Sequence, residues 1–311
     1  MKKKYNWRIL VFVFLSFIFS NYSLSEVFIV AKVNKNIITN VDIKNEEKYL
    51  MALNPNIQKL SENQITQYAK DSLINEIVKK IEIERYYEIT PNENLLDKVI
   101  KDIYLSIGIS DKADFKNYLQ NNDVTLERVK NKIAIEIAWN DLIVNKFKNQ
   151  ININEERLKQ ELGEKSSITE MESVLLSEII FTVNYKNELE KKFNEIKESI
   201  SNIGFNETAR LYSLSSSKKN GGNLGWILKD QLSKNLKDQI NNLSIGEYTN
   251  PMNAGGGFMI LKLNDIKIET QEINKEEQLK KKIEFEREIQ LTRFSTLHYK
   301  RVFNNTEINE K

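Results

Sequence analysis

Apolar and polar positions change rhythm twice along the chain. Val27–Val33 and Ile37–Ile38 are β-branched segments flanking Asn34-Lys35-Asn36, a pattern that predicts a hairpin. Thr39 then offers a helix cap with Asp42 three residues on, opening a helix through Leu53. From Ser61 the apolar residues Ile65, Tyr68, Ala69, Leu73, Ile77 and Ile81 recur every three or four positions, which predicts a second helix to Tyr87. Pro91 suits the first position of a third, with Leu95, Leu96, Val99, Ile100 and Ile103 apolar. Asp111 starts a fourth through Leu119, and Thr125 caps a long fifth to Gln150. Amphipathic helices with short connections form a helical domain whose stripes face each other or a client.

The rhythm shifts after a short helix from Asn154 to Leu162 and a polar linker, Gly163–Thr169. Val174–Phe181 reads as a strand, and Tyr185–Asn202 and Asn206–Tyr212 read as helices. After the glycine loop Asn220–Trp226 come a helix at Leu236–Asn242, an extended Tyr248–Pro251 and a strand at Phe258–Asn264. A charged helix follows from Asn274 to Leu297, with Tyr299–Phe303 as a closing strand. The fold class this predicts is α+β and predominantly helical, without internal repeat.

Composition changes the picture mainly at the N-terminus. Lys2, Lys3, Lys4 and Arg8 precede an apolar run, Ile9–Phe19, and the small residues Ser23 and Ser25. These are the three parts of a secretory signal peptide, predicting residues 1–25 as a cleaved leader of bacterial type. The apolar run is about half of the ~20 residues a spanning helix needs. Removing the four basic residues of the leader from the total of 46 leaves 42 against 44 acids, a net charge of −2. That balance gives no support to nucleic-acid binding. The absence of cysteine removes thiol nucleophiles and Cys-type zinc sites, and a single histidine argues against a His-rich metal site and leaves His298 as the one candidate imidazole base; no cofactor is expected. Gly221-Gly222 lacks the lysine and hydroxyl sequel of a phosphate loop, so no nucleotide is expected. His298 is expected to pack or face solvent, Trp139 and Tyr104 to lie in the core, and Lys280-Lys281-Lys282 to form a solvated face.

One stretch carries a more specific pattern. Leu176–Phe181, Tyr212–Ser215, Gly221-Gly222-Asn223-Leu224-Gly225-Trp226, Leu243–Pro251 and Gly257–Leu263 stand in the order of a known motif set. The segment resembles a parvulin-type peptidyl-prolyl isomerase domain. The flanks, with the hairpin Ala31–Asp42, a helical domain and a returning C-terminal helix, resemble the SurA group of periplasmic chaperones. The resemblance implies a helical domain over residues 26–165, a parvulin-like domain over 173–267, and a C-terminal helix and strand over 272–311 packing on the helical domain. It also implies the periplasm as location. Unfolded outer-membrane proteins and other exported polypeptides are the implied partners, with the outer-membrane insertion machinery a further one.

In parvulins a pair of histidines, a Cys or Asp and a hydroxyl lower the barrier to proline isomerisation. Carried over by resemblance, the first-strand histidine falls on Glu178, the last-strand histidine on Met259, the Cys/Asp on Ser215 and the hydroxyl on Ala254. The apolar slot for the proline ring falls on Leu224, Leu232 and Leu236, with Phe258 adjacent. A glutamate facing a methionine cannot reproduce an imidazole pair, because a thioether is at best a weak acceptor. The expectation is a holdase whose parvulin-like domain keeps the fold without efficient catalysis; the alternative is an isomerase with an unusual polar set.

Overall fold

The computed structural model describes residues 26–90, 92–162, 168–183, 185–272 and 275–311. The expected leader, Pro91 and residues 163–167 of the expected linker lie outside the described residues. Strands β1 (Ile29–Val33) and β2 (Asn36–Thr39) form the predicted antiparallel hairpin. Its turn is closed by Asn34 at φ +51°, a conformation asparagine tolerates better than most residues. Ala31, Val33 and Ile38 face the core while Ile37 stays half exposed, as a period of two requires.

Helix α1 (Asn40–Leu53) opens on a reciprocal cap in which Thr39 N donates to Asp42 Oδ2 (2.8 Å) and Asp42 N donates to Thr39 Oγ1 (3.2 Å). Ser61 and Gln64 repeat the device at α2 (Glu62–Glu84). Such a cap contributes about 1 kcal/mol. Helix α3 (Glu93–Ser106) is capped by Asn92, so it begins beyond Pro91. Helices α4 (Lys112–Asn121), α5 (Leu126–Phe147) and α6 (Glu155–Leu162) follow. Their stripes enclose two cores. One centres on Leu73, Val78, Trp139 and Leu142; the other on Leu96, Ile100, Tyr104, Phe115 and Val129. Between α1, α2 and α5 the buried Glu46 carboxylate accepts from Arg128 Nη2 (2.9 Å), Ser72 Oγ (2.6 Å) and Lys132. Arg128 Nη1 also bonds Glu76 (2.7 Å). An unpaired buried charge here would cost several kcal/mol, so this network fixes how the three helices meet.

The second unit contains β3 (Ile168–Phe181), α7 (Leu189–Ile203), α8 (Phe205–Tyr212), β4 (Asn223–Leu228), α9 (Lys234–Asn241), β5 (Met252–Asn253) and β6 (Phe258–Glu272). Its sheet is antiparallel in the order β4-β3-β6-β5. β3 begins six residues before the predicted start and β6 ends eight after the predicted end, because 168–173 pairs with 267–272 as a ribbon. The sequence of that ribbon, Ile168–Ser173 and Lys267–Glu272, is mostly polar and offers no clean apolar alternation to read.

The chain returns through α10 (Lys275–Asn304) to β7 (Ile308–Glu310), which pairs with β1. Tyr299–Phe303 is therefore helical, and the closing strand lies beyond it. Tyr299 and Val302 are buried in the helical core at helix spacing, and that packing overrides their strand preference. Lys282 also departs from the expected solvated face. It is buried while Lys280 and Lys281 are exposed, because it lies one turn before Phe285 on the side of α10 that packs inward.

The two units dock. Tyr68 of α2 and Tyr212 of α8 share a hydroxyl–hydroxyl hydrogen bond with their rings edge to face at 5.0 Å, and Ile57, Leu60 and Ile203 pack around them. A cleft of about 230 Å³, lined by Leu53–Asn56, Ser106, Ile107, Glu207 and Arg210, opens beside this contact.

Candidate functional site

The site candidates are set by the register of β3 against β6. Met259 pairs with Ile180 and Leu261 with Glu178, so Glu178 and Met259 project from the same face of the sheet on neighbouring strands. This face carries a core of Val174, Leu176, Ile227, Leu232, Leu261 and Leu263. Leu224, Leu236, Met252 and Met259 pack against it, so three of the four slot residues come together with Met259. Phe258 does not join them. It sits opposite Phe181 on the other face, ring centroids 5.9 Å apart, because adjacent residues of a strand point to opposite sides.

Ser215 is delivered by a loop pinned to β3. Leu214 N donates to Ile180 O (2.7 Å), and Ser213 Oγ accepts from Ile180 N (3.0 Å) and Ser215 N (3.3 Å). On the other side of Glu178 its backbone N donates to Gly222 O (2.8 Å). Gly222 has φ +78°, and a Cβ there would stand 2.2 Å from Glu178 O. No side chain fits between that turn and the strand, which is the physical content of the second glycine in Gly221-Gly222-Asn223.

Within this frame Glu178 and Ser215 are both buried. Ser215 Oγ donates to Glu178 Oε1, and Ser217 Oγ donates to the same oxygen at 2.9 Å. Burial pushes the Glu178 carboxyl up from its ordinary value; the two serine hydroxyls pull the other way without prevailing. A carboxyl in that state has one proton to donate when neutral and none when ionised. Neither Met259 nor Ala254 supplies a second donor. Ser217 was absent from the sequence-derived set; its signal was the hydroxyl run Ser213–Ser217, too generic to single out one member.

His298 is far from this cluster. It is buried in the helical core, stacked on Trp139 at 5.6 Å, with Nε2 2.9 Å from Glu82 Oε1 but out of line for a hydrogen bond. Burial lowers its affinity for a proton, Lys146 adds to this, and Glu82 opposes it. Trp139 and Tyr104 are core residues as expected.

The loop holding Ser215 and Ser217 continues into the helical unit. Leu214 packs against the α2/α5 core, and Lys218 faces Glu136 of α5. Burial at this junction pushes the Lys218 ammonium down to about 8 against the pull of Glu136. Burial raises the Glu136 carboxyl, but Lys79, Lys218 and Lys132 outweigh it and hold the group below the usual carboxylate range.

Residues 175–265 match the family model of the PPIC-type PPIASE (rotamase) domain. The chain carries a parvulin-type domain. Outside and including that domain, it is similar to the foldase protein PrsA of Oceanobacillus iheyensis, 26% identical over 72% of this chain and 68% of that protein. It is also similar to the chaperone SurA of Vibrio parahaemolyticus, 27% identical over 45% of this chain and 33% of that one. The match to SurA thus spans a third of its relative's length. Among solved structures, a SurA-like chaperone of Campylobacter jejuni aligns over 91% of this chain and 98% of its own at 14% identity, with a TM-score of 0.35.

Proposed function

We propose that the chain is a periplasmic holdase for unfolded exported polypeptides, outer-membrane β-barrel proteins above all, whose parvulin-type domain is inefficient as a catalyst. The observation that carries the second half is the Glu178–Ser215–Met259 set. Lowering a barrier of about 18–20 kcal/mol needs polar groups that weaken amide resonance, and two imidazoles are replaced here by a buried carboxyl and a thioether. Leu224, Leu232 and Leu236 retain the apolar half of the slot, so the domain keeps a surface for apolar or proline-bearing peptide while lacking the polar half.

The holdase reading is supported by the family similarities and by the helical unit. Leu95, Leu105 and Val144 on its helices, and Tyr86 and Tyr87 just after α2, expose much of their apolar surface, giving an extended client several shallow contacts. Affinity is modest, because ordering a flexible client offsets much of the contact energy. Export by a leader over residues 1–25 and delivery to the outer-membrane insertion machinery belong to the same proposal. Neither nucleotide nor nucleic acid takes part.

The second reading, an active isomerase, is favoured by one observation: two hydroxyls converge on one Glu178 oxygen in an apolar site, a polar arrangement of its own kind. The holdase half is tested by diluting a urea-unfolded outer-membrane barrel protein into buffer and following light scattering. Residues 26–311 at stoichiometric amounts are expected to suppress aggregation; scattering unchanged from a protein-free control contradicts the proposal.

A further inference from the structure

Helix α10 touches both units, one side buried and the other partly exposed. Leu291, Phe294, His298, Tyr299 and Val302 face the helical unit, with Phe147 stacked on Phe294 at 4.9 Å and Trp139 Nε1 donating to Ser295 Oγ at 2.9 Å. The other side meets the parvulin-type domain at Phe285, Arg293, Thr296, Leu297 and Lys300. The last four follow the i, i+3, i+4, i+7 spacing of a single stripe. Lys300 Nζ donates to Val183 O at 3.0 Å.

The position of that second stripe matters. Phe285 packs against the same apolar cluster as Leu224, Leu236, Met252 and Met259. The loop Ala254–Gly257, which leads into Met259, lies directly against the helix. A Cβ on Gly255 would stand 2.4 Å from Arg293 Nε, and one on Gly256 would stand 2.4 Å from Leu297 Cδ2. At both positions the nearest atoms all belong to α10, so this glycine rim is shaped to seat the helix as well as to turn the chain.

We infer that α10 is the resident ligand of the parvulin-type slot: Phe285 occupies the apolar face beside Met259, and Arg293 and Leu297 close the glycine rim. A peptide bearing an aromatic or proline side chain reaches Leu224, Leu236 and Met259 by displacing the helix. The opposite side of α10 is part of the helical core, so slot occupancy and the packing of the helical unit are coupled, and the coupling is reciprocal. The slot is therefore closed at rest, whether or not the chain is a holdase.

The test uses residues 26–311 with ¹³C-methyl methionine, in which Met51, Met171, Met252 and Met259 are the reporters. The probe is the peptide Ala-Phe-Pro-Phe-Ala. In the wild-type protein the Met259 and Met252 methyl signals are expected to stay put in excess peptide. In Phe285→Ala they are expected to move. If truncation raises the open fraction tenfold, the apparent affinity rises about tenfold with it. A reversible clamp guards against a variant that merely fails to fold. The chain has no native cysteine, and the Gly255 Cβ position lies 2.9 Å from Arg293 Cγ. Gly255→Cys with Arg293→Cys therefore suits a disulfide, whose Cβ atoms stand about 3.5–4.5 Å apart. Combined with Phe285→Ala, the oxidised clamp is expected to abolish the response and reduction to restore it. Wild-type Met259 responding as strongly as Phe285→Ala, or an oxidised clamp that binds as well as the reduced one, overturns the inference. Because aggregation is not measured, failure here is distinguishable from failure of the holdase reading.

Discussion

Gly222→Ala is expected to destabilise the parvulin-type domain far more than Gly225→Ala, although both glycines have φ +78°. The shared φ makes the pair a controlled comparison. A left-handed conformation costs an alanine about 1–2 kcal/mol, and the stiffer unfolded chain returns about 0.4–1 kcal/mol. For Gly225, whose Cβ would meet nothing within 4 Å, that balance is the whole effect, about 0–1.5 kcal/mol. At Gly222 the new methyl would also stand 2.2 Å from Glu178 O and 3.0 Å from Ala209 Cβ. To relieve this the turn must retreat by about 1 Å, which breaks the 2.8 Å bond from Glu178 N to Gly222 O beside a buried carboxyl. Losing that bond and leaving a buried donor unpaired costs a further ~2–3 kcal/mol, giving about 2–4.5 kcal/mol in all. Urea unfolding of residues 26–311 carrying Trp139→Phe reads this directly, because Trp226 is then the sole tryptophan and sits in the affected domain. With m-values of about 1–3 kcal/mol per molar urea, the midpoint falls by at least about 0.7 M. Equal midpoints for the two alanine variants would refute the close approach on which the geometry around Glu178 rests.

The remaining predictions concern charge. Because the folded-state affinity of Glu178 for a proton is raised, its contribution is fully present below 4.5, the ordinary value, and is lost as pH rises through its folded-state titration. Glu178→Gln keeps an acceptor for Ser215 and Ser217, so it is expected to gain stability over wild type at pH 8 and to lose that gain below pH 4.5 in denaturation series. For Lys218 the sign is opposite: its folded-state value of about 8 lies below 10.5, so stability rises with pH between them. Lys218→Met should flatten that rise when midpoints at pH 7.5 and 10 are compared. Glu46→Ala removes one of the two carboxylates that Arg128 and Lys132 share, Glu76 remaining on both, and is expected to cost about 1.5–3 kcal/mol in urea unfolding of the helical unit, read at Trp139.

Much of the fold was legible because local chemistry and burial agree. Thr39, Ser61, Asp111 and Thr125 cap the helices they were expected to cap, each by accepting a backbone hydrogen bond in the first turn. The pattern failed where strand pairing joins mostly polar segments, as in the ribbon of β3 and β6. It failed again where packing overrides preference, as in the helical Tyr299–Phe303. At the site, motif order located Glu178, Ser215 and the glycine turn, because each is fixed by backbone geometry within one domain. Phe258 was misplaced relative to Leu232 and Leu236 because a motif gives order along the chain, not the face of a strand. Phe285 left no readable signal: it is an apolar residue in a charged helix, and what it meets depends on where that helix returns.

The account stands most directly on one measurement, the rate of cis–trans exchange at a Phe-Pro bond with residues 26–311 added at concentrations that suppress aggregation. A protease-coupled assay gives that rate. The prediction is full suppression of aggregation with isomerisation no faster than the uncatalysed reaction, which takes tens to hundreds of seconds. Accelerated exchange that disappears in Glu178→Ala or Ser215→Ala would contradict it and make the buried carboxyl and its two serines the working centre of an isomerase.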